Sequence, residues 1–258
     1  FVSEGKKKFF GFFLAPIFVI AQSEQSAKNA NKRRPGKMVA FYMPTPLPSL
    51  NPRPSEVEEM LNENSGLFQG IGEVKFAYDE IENAHPEDPE YLEIYKIADK
   101  HKLIVMMHPA SDHREEVERI LKRHPNVRFL LHGVEIDWIA DLMKTHKNIY
   151  FSLDAQLTSL FGWEKEHMLK GPTKDEFTAH FRQNFDDSLD KAVQKWKPII
   201  EAHPDRFAWG TDRWYRWHFD YEVGGLVEEM GRSFIGKLDQ SVQEMFANKN
   251  AERLLQES

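Results

Sequence analysis

The sequence predicts an α/β fold with parallel strands, a TIM-like (β/α)8 barrel whose first strand is missing from these 258 residues. Three observations predict it. Short β-branched or aromatic runs alternate with stretches of helical period, no glycine-rich phosphate loop opens a helix after the first strand, and polar residues of metal-binding or acid/base type recur where successive runs end. The alternation gives βαβ units. The missing phosphate loop removes support for the nucleotide crevice of an open doubly wound sheet, whereas a barrel brings all its strand ends to one mouth.

The N-terminal run "KKKFFGFFLAPIFVIAQS" has two readings. A basic patch, an apolar core of about a dozen residues and a small residue near its end fit a secretory signal, and the run is too short to span a bilayer comfortably. Pro16 divides it, however, and "IFVIA" reads as a short buried strand, the preferred reading. Residues 1–35 are thus a strand region or a signal or anchor remnant. The cytoplasm is the favoured compartment, with secretion or the periplasm expected if residues 5–22 act as a signal.

Further strands are predicted at "MVAFYM" (38–43), "GEVKF" (72–76), "LIVMM" (103–107), "VRFLL" (127–131), "IYFSL" (149–153) and "FAWG" (207–210). Between them, "PSEVEEMLNENS" reads as a helix opened by a capping box of Ser55 and Glu58. "DHREEVERILKRH" reads as a helix with Val117, Ile120 and Leu121 on one face. "KRRPGKMVAF", "KRHPNVRFLL" and "EAHPDRFAWG" share one plan, a helix end followed by Pro, a turn residue and a strand. Residues 156–197 are too long for a simple connection and predict a helical insertion over the barrel mouth, within one large domain spanning 1–258.

Composition limits the chemistry. The formal charge is −7, and the basic residues are scattered, so no footprint for nucleic acid appears and a small-molecule substrate is expected. The absence of cysteine excludes disulfides, thiolate metal sites and a cysteine nucleophile, leaving His, Asp and Glu to hold any metal. Assembly into a homo-oligomer is left open.

His108 closes an apolar strand, His132 precedes Gly133 after the next, and Asp154 and Asp212 follow the last two. Each also has a structural reading, as a hydrogen-bonded turn residue. Glu73, inside "GIGEVKF", is either a site carboxylate or the partner of a basic side chain, and Lys75 shares its strand face by period two. After the last strand, "RWYRWHFDY" supplies Arg213 and Trp214, an aromatic and cationic wall for an anionic or aromatic substrate or else a packed loop. His101, His124, His146 and His203 fall at predicted helix ends, where histidine complements the C-terminal dipole, and are read as structural.

In that order, "LIVMMHPA", "VRFLLHG", "RFAWGTDRW" and "ANKNAERLL" make residues 36–255 resemble the metal-dependent amidohydrolase superfamily, amidohydrolase-2 type, the branch related to aminocarboxymuconate-semialdehyde decarboxylase. The resemblance implies a divalent metal, zinc being favoured, with His108 as a ligand, His132 as acid/base group and Asp212 as ligand or proton-accepting carboxylate. Glu73 is a further candidate ligand, and Lys75, Asp154, Arg213 and Trp214 are candidates for binding substrate. The implied activity is hydrolysis of a lactone, amide or ester, with non-oxidative decarboxylation or a non-catalytic barrel as alternatives. Imidazole and carboxylate suit zinc, which lowers the pKa of a bound water and polarises a carbonyl. One departure is plain: the family's His-x-His pair of the first strand occurs nowhere here. Counting back from His108 on the fifth strand, the first would precede Phe1. Zinc sites draw on at least three protein groups, so metal binding needs ligands beyond His108 and Asp212.

Overall fold

Parallel strands buried on both faces must be apolar almost throughout, and the runs predicted from sequence form such strands. The computed structural model describes residues 17–21, 23–33, 38–44, 52–76, 84–133, 137–154, 173–212 and 219–256. In chain order the elements are β1 (Ile17–Ala21), α1 (Glu24–Arg33), β2 (Met38–Tyr42), α2 (Pro54–Glu63), β3 (Phe68–Lys75), α3 (Pro89–His101), β4 (Ile104–His108), α4 (Arg114–Arg123), β5 (Arg128–Leu131), α5 (Ile139–Thr145) and β6 (Ile149–Leu153). Then follow α6 (Lys174–Gln183), α7 (Phe185–Ala202), β7 (Phe207–Trp209), α8 (Tyr221–Ile235), α9 (Gln240–Glu244), a π-helical turn (Met245–Lys249) and α10 (Asn250–Gln256). The strands lie in sequence order, β1-β2-β3-β4-β5-β6-β7, and the registered pairings from β1/β2 to β5/β6 are all parallel. This is the expected TIM-type arrangement, with "IFVIA" as its first described strand.

The chain divides into two compact units, one of Phe10–Phe151 with Ala251–Ser258, the other containing Ser152–Asn250. In the first, Phe41, Ile104, Leu130 and Tyr150 from four strands pack with Leu254 of α10. Arg128 at the start of β5 donates from one guanidinium nitrogen to the Leu254 carbonyl and from another to the Lys102 carbonyl at 2.8 Å. A guanidinium can serve two orphaned carbonyls at once because its donors diverge from one plane. The face predicted for α4 is the buried one, formed by Val117, Ile120 and Leu121.

In the second unit, Trp196 of α7 meets Phe207 of β7 edge-on at 6.4 Å, and Phe234 of α8 meets Phe246 at 5.8 Å. The buried amide of Asn250 donates to the carbonyls of Pro204 at 2.7 Å and Phe207 at 2.8 Å, fixing the turn that leads into β7. Helices α6 and α7 follow from residue 174, and the first part of the insertion expected over 156–197, residues 155–172, lies outside the described set.

Two local expectations are corrected. Ser55 and Glu58 form no capping box, since α2 starts at Pro54 with Arg53 at its N-cap and no side-chain cap bond. Proline at the first helical position already lacks an N–H and needs no acceptor there. The capping box occurs on α6 instead, where Thr173 accepts from the Glu176 amide at 3.3 Å and Glu176 accepts from the Thr173 amide at 2.9 Å. Strand β3 begins at Phe68, not Gly72. Its glycines weaken the sequence signal, yet a Cβ at Gly72 would stand 2.7 Å from both Met106 Cβ and its carbonyl oxygen, with φ at +150°. Close approach of β4, together with that backbone angle, requires glycine here.

Candidate active site and metal centre

The strand ends of the first unit converge on Glu73. Register places Lys75 of β3 opposite His108 of β4, and the Phe76 amide donates to the His108 carbonyl at 3.0 Å. One strand further, the His132 amide donates to the Met107 carbonyl at 3.1 Å. Three C-terminal strand ends are thereby brought level. Glu73 Oε1 lies 3.0 Å from His108 Nδ1 and 2.9 Å from His132 Nε2, while its Oε2 lies 3.1 Å from Lys75 Nζ. The two imidazole centroids are 4.6 Å apart. His132 is 2% exposed, so any proton it exchanges passes within a nearly dry site.

Burial on its own pushes the Glu73 carboxyl up. The charge of His132, the hydrogen bond from His108, the close approach of His132 and the Lys75 ammonium outweigh it, and they hold the group well below the usual carboxylate range. Glu73 is therefore an anion at neutral pH, hydrogen-bonded to His108 and within ion-pair distance of His132. A carboxylate bound to a histidine Nδ1 fixes the ring and leaves its other nitrogen for chemistry, as partners of metal-ligating histidines do. Opposite, a Cβ on Gly133 would come within 2.8 Å of His108 Cδ2 and 2.9 Å of its Nε2, so only glycine lets the ring occupy its position.

One donor atom from each of Glu73, His108 and His132 lies within 4.8 Å of the others. Imidazole and carboxylate are the donors of catalytic zinc centres, so Glu73 and His108 fit a divalent ion with His132 beside it.

The second unit contains a carboxylate pair of its own. Asp154, 3% exposed, follows β6, and one of its oxygens lies within 4.8 Å of one from the half-buried Asp212, whose backbone has φ of 43°. Arg213 and Trp214 lie outside the described residues. His101, His124, His146 and His203 all sit at helix C-termini, as expected. Sequence reading missed the group of His85, His113 and Glu116, whose donor atoms also lie within 4.8 Å of one another. Its one local signal was the three-residue spacing of His113 and Glu116 at a helix start.

The sequence from 13 to 256 matches the Amidohydro_2 family model, described as amidohydrolase. The chain belongs to the amidohydrolase family. No curated protein matches its sequence. Solved structures similar to this amidohydrolase include an uncharacterised TIM-barrel protein from Bordetella bronchiseptica, at 15% identity and TM-score 0.57, covering 98% of this chain and 81% of the other. A probable 2-pyrone-4,6-dicarboxylic acid hydrolase from Acinetobacter baumannii, with citric acid bound, gives 11% identity and TM-score 0.61, covering 97% and 88%. The 2,6-dihydroxybenzoate decarboxylase from Rhizobium gives 13% and 0.52, covering 99% and 88%. At such identities the likeness is one of fold. Among the described residues no helix of the amidohydrolase is long and apolar enough to cross a membrane.

Proposed function

We propose that this amidohydrolase is a metal-dependent hydrolase that cleaves a lactone, amide or ester bond in a small anionic or aromatic molecule. The observation that carries the proposal is the Glu73 carboxylate hydrogen-bonded to His108 and within ion-pair distance of His132. Glu73 and His108 would hold a divalent ion, zinc by donor chemistry, with Asp212 as a further carboxylate on the family resemblance. When bound, such an ion lowers the pKa of water and polarises a carbonyl.

His132 serves as acid and base, accepting a proton from the attacking water and returning one to the departing oxygen or nitrogen. Glu73, anionic beside it, orients the ring and stabilises the imidazolium formed between those two transfers. Lys75 presents an ammonium on the same strand face and attracts an anionic substrate group. Asp154, Arg213 and Trp214 complete the proposed substrate contacts. The names of the similar hydrolase and decarboxylase, which concern a pyrone dicarboxylate and a dihydroxybenzoate, support carboxylated ring compounds as the first class to try.

The test pairs metal analysis with rates on lactones, amides and aromatic carboxylates. His132→Ala is expected to keep its metal and lose about two to four powers of ten in turnover. His108→Ala and Asp212→Asn are expected to lose metal as well. Wild-type turnover by His132→Ala on an accepted substrate, or metal content indifferent to both His108 and Asp212, defeats the proposal. Release of carbon dioxide from an aromatic carboxylate without hydrolysis of any lactone, amide or ester replaces hydrolysis with decarboxylation.

A further inference from the structure

We propose that His85, His113 and Glu116 form a second divalent-cation site, sharing no residue with the Glu73 cluster. His113 is the N-cap of α4 and Glu116 its third residue, a spacing that puts both on one side of the helix. His85 comes from the segment before α3, held by its backbone N–H, which donates to Asp88 Oδ2 at 2.8 Å. Its Nδ1 lies 3.1 Å from Glu116 Oε1, and its ring centroid is 5.5 Å from that of His113.

Three features point to an ion rather than to a simple imidazole–carboxylate pair. The other Glu116 oxygen, Oε2, is buried with no hydrogen-bond partner among the described residues, and a buried carboxylate oxygen without a donor calls for one. His113 is buried and packs edge-on against Phe76 at 5.9 Å, so its ring is already fixed in place. The cation that could compete for Glu116, Arg119, is occupied by Glu87 at 2.9 and 2.6 Å.

Two nitrogens and a carboxylate make three protein ligands, the count of a catalytic-type zinc site that leaves its fourth position to water. Borderline ions such as zinc, nickel or copper suit it better than magnesium or calcium, which prefer oxygen alone. His85, 56% exposed on its side chain, gives the entry path. Loading exchanges the His85–Glu116 hydrogen bond for coordination. It also releases the Ala110 amide from His113 Nδ1, now 3.2 Å away, because a neutral ring that accepts at one nitrogen carries its proton on the other.

The experiment titrates zinc into chelator-treated full-length chain against a chromogenic competitor, in the His108→Ala background so that the proposed catalytic centre is disabled. One zinc is expected to bind, and to bind at least tenfold more weakly after His85→Ala or Glu116→Gln. The Glu116→Gln side chain keeps its shape, and circular dichroism checks that each variant is folded. If His108→Ala does not fold, His85→Ala alone is expected to lower zinc stoichiometry by one. The Nδ1 resonance of His113 and the Ala110 amide are expected to shift on addition of zinc. Unchanged zinc binding in both variants, or loss of all zinc with His108→Ala, overturns the second site. The latter result leaves the catalytic proposal intact, and loss of turnover plays no part in this test.

Discussion

At the residue scale, Gly133 shows how little space surrounds the His108 ring. Its φ of +128° and the predicted overlap of any Cβ with His108 mean that Gly133→Ala must strain the backbone and displace the ring. We expect it to cost about 1–3 kcal/mol, read as a lower urea midpoint at unchanged slope, and to reduce metal content together with turnover. A variant of wild-type stability and metal content would show that the ring has room to move. Much of this centre was legible in sequence. His108, His132 and Glu73 stand out because a polar group at the end of an apolar strand costs free energy unless it is paired or used, and Lys75 followed from strand parity. The choice between ligand and ion-pair partner for Glu73 was not legible, because it depends on register across three strands. Glu73 contacts Lys75 and both histidines, so it is an ion-pair partner in the structure, and its role as a ligand rests on the proposed function. His85 and Glu116, 31 residues apart, meet only through tertiary structure.

At the scale of elements, the strands could be read because each is a run of apolar residues bounded by turn residues, and β6 occupies the five residues expected, Ile149–Leu153. Helix starts were less legible. Ser55 and Glu58 carry the spacing of a capping box, but Pro54 moves the helix start forward and puts Ser55 inside the first turn. Thr173 and Glu176 have the same spacing and do form the box. The two sites make a matched experiment. Thr173→Ala is expected to destabilise by about 0.5–2 kcal/mol, whereas Ser55→Ala should stay within about 0.5 kcal/mol of wild type. Denaturant unfolding of both variants checks this, and equal losses would restore the capping role to Ser55.

At the scale of the molecule, the parallel order of the strands followed from alternation alone, since parallel neighbours need a crossover and each helix supplies one. What alternation could not reveal is that the unit holding β1 to β5 takes its last core residue from α10. Leu254 is 1% exposed among Phe41, Ile104, Leu130 and Tyr150, and Arg128 binds its carbonyl. Leu254→Ala should therefore cost about 2–5 kcal/mol, as for other buried leucines, and a loss below 1 kcal/mol in urea unfolding would deny α10 this role. The same arrangement has a consequence for synthesis in the cell. Residues 38–151 emerge from the ribosome early and can pair their strands. The hollow beside Tyr150 nevertheless stays open until residue 254 is translated, roughly 5–20 s later at ordinary elongation rates. During that interval the nascent chain displays aromatic and aliphatic side chains that the folded unit hides, which makes it a client for chaperones that hold such surface until α10 arrives.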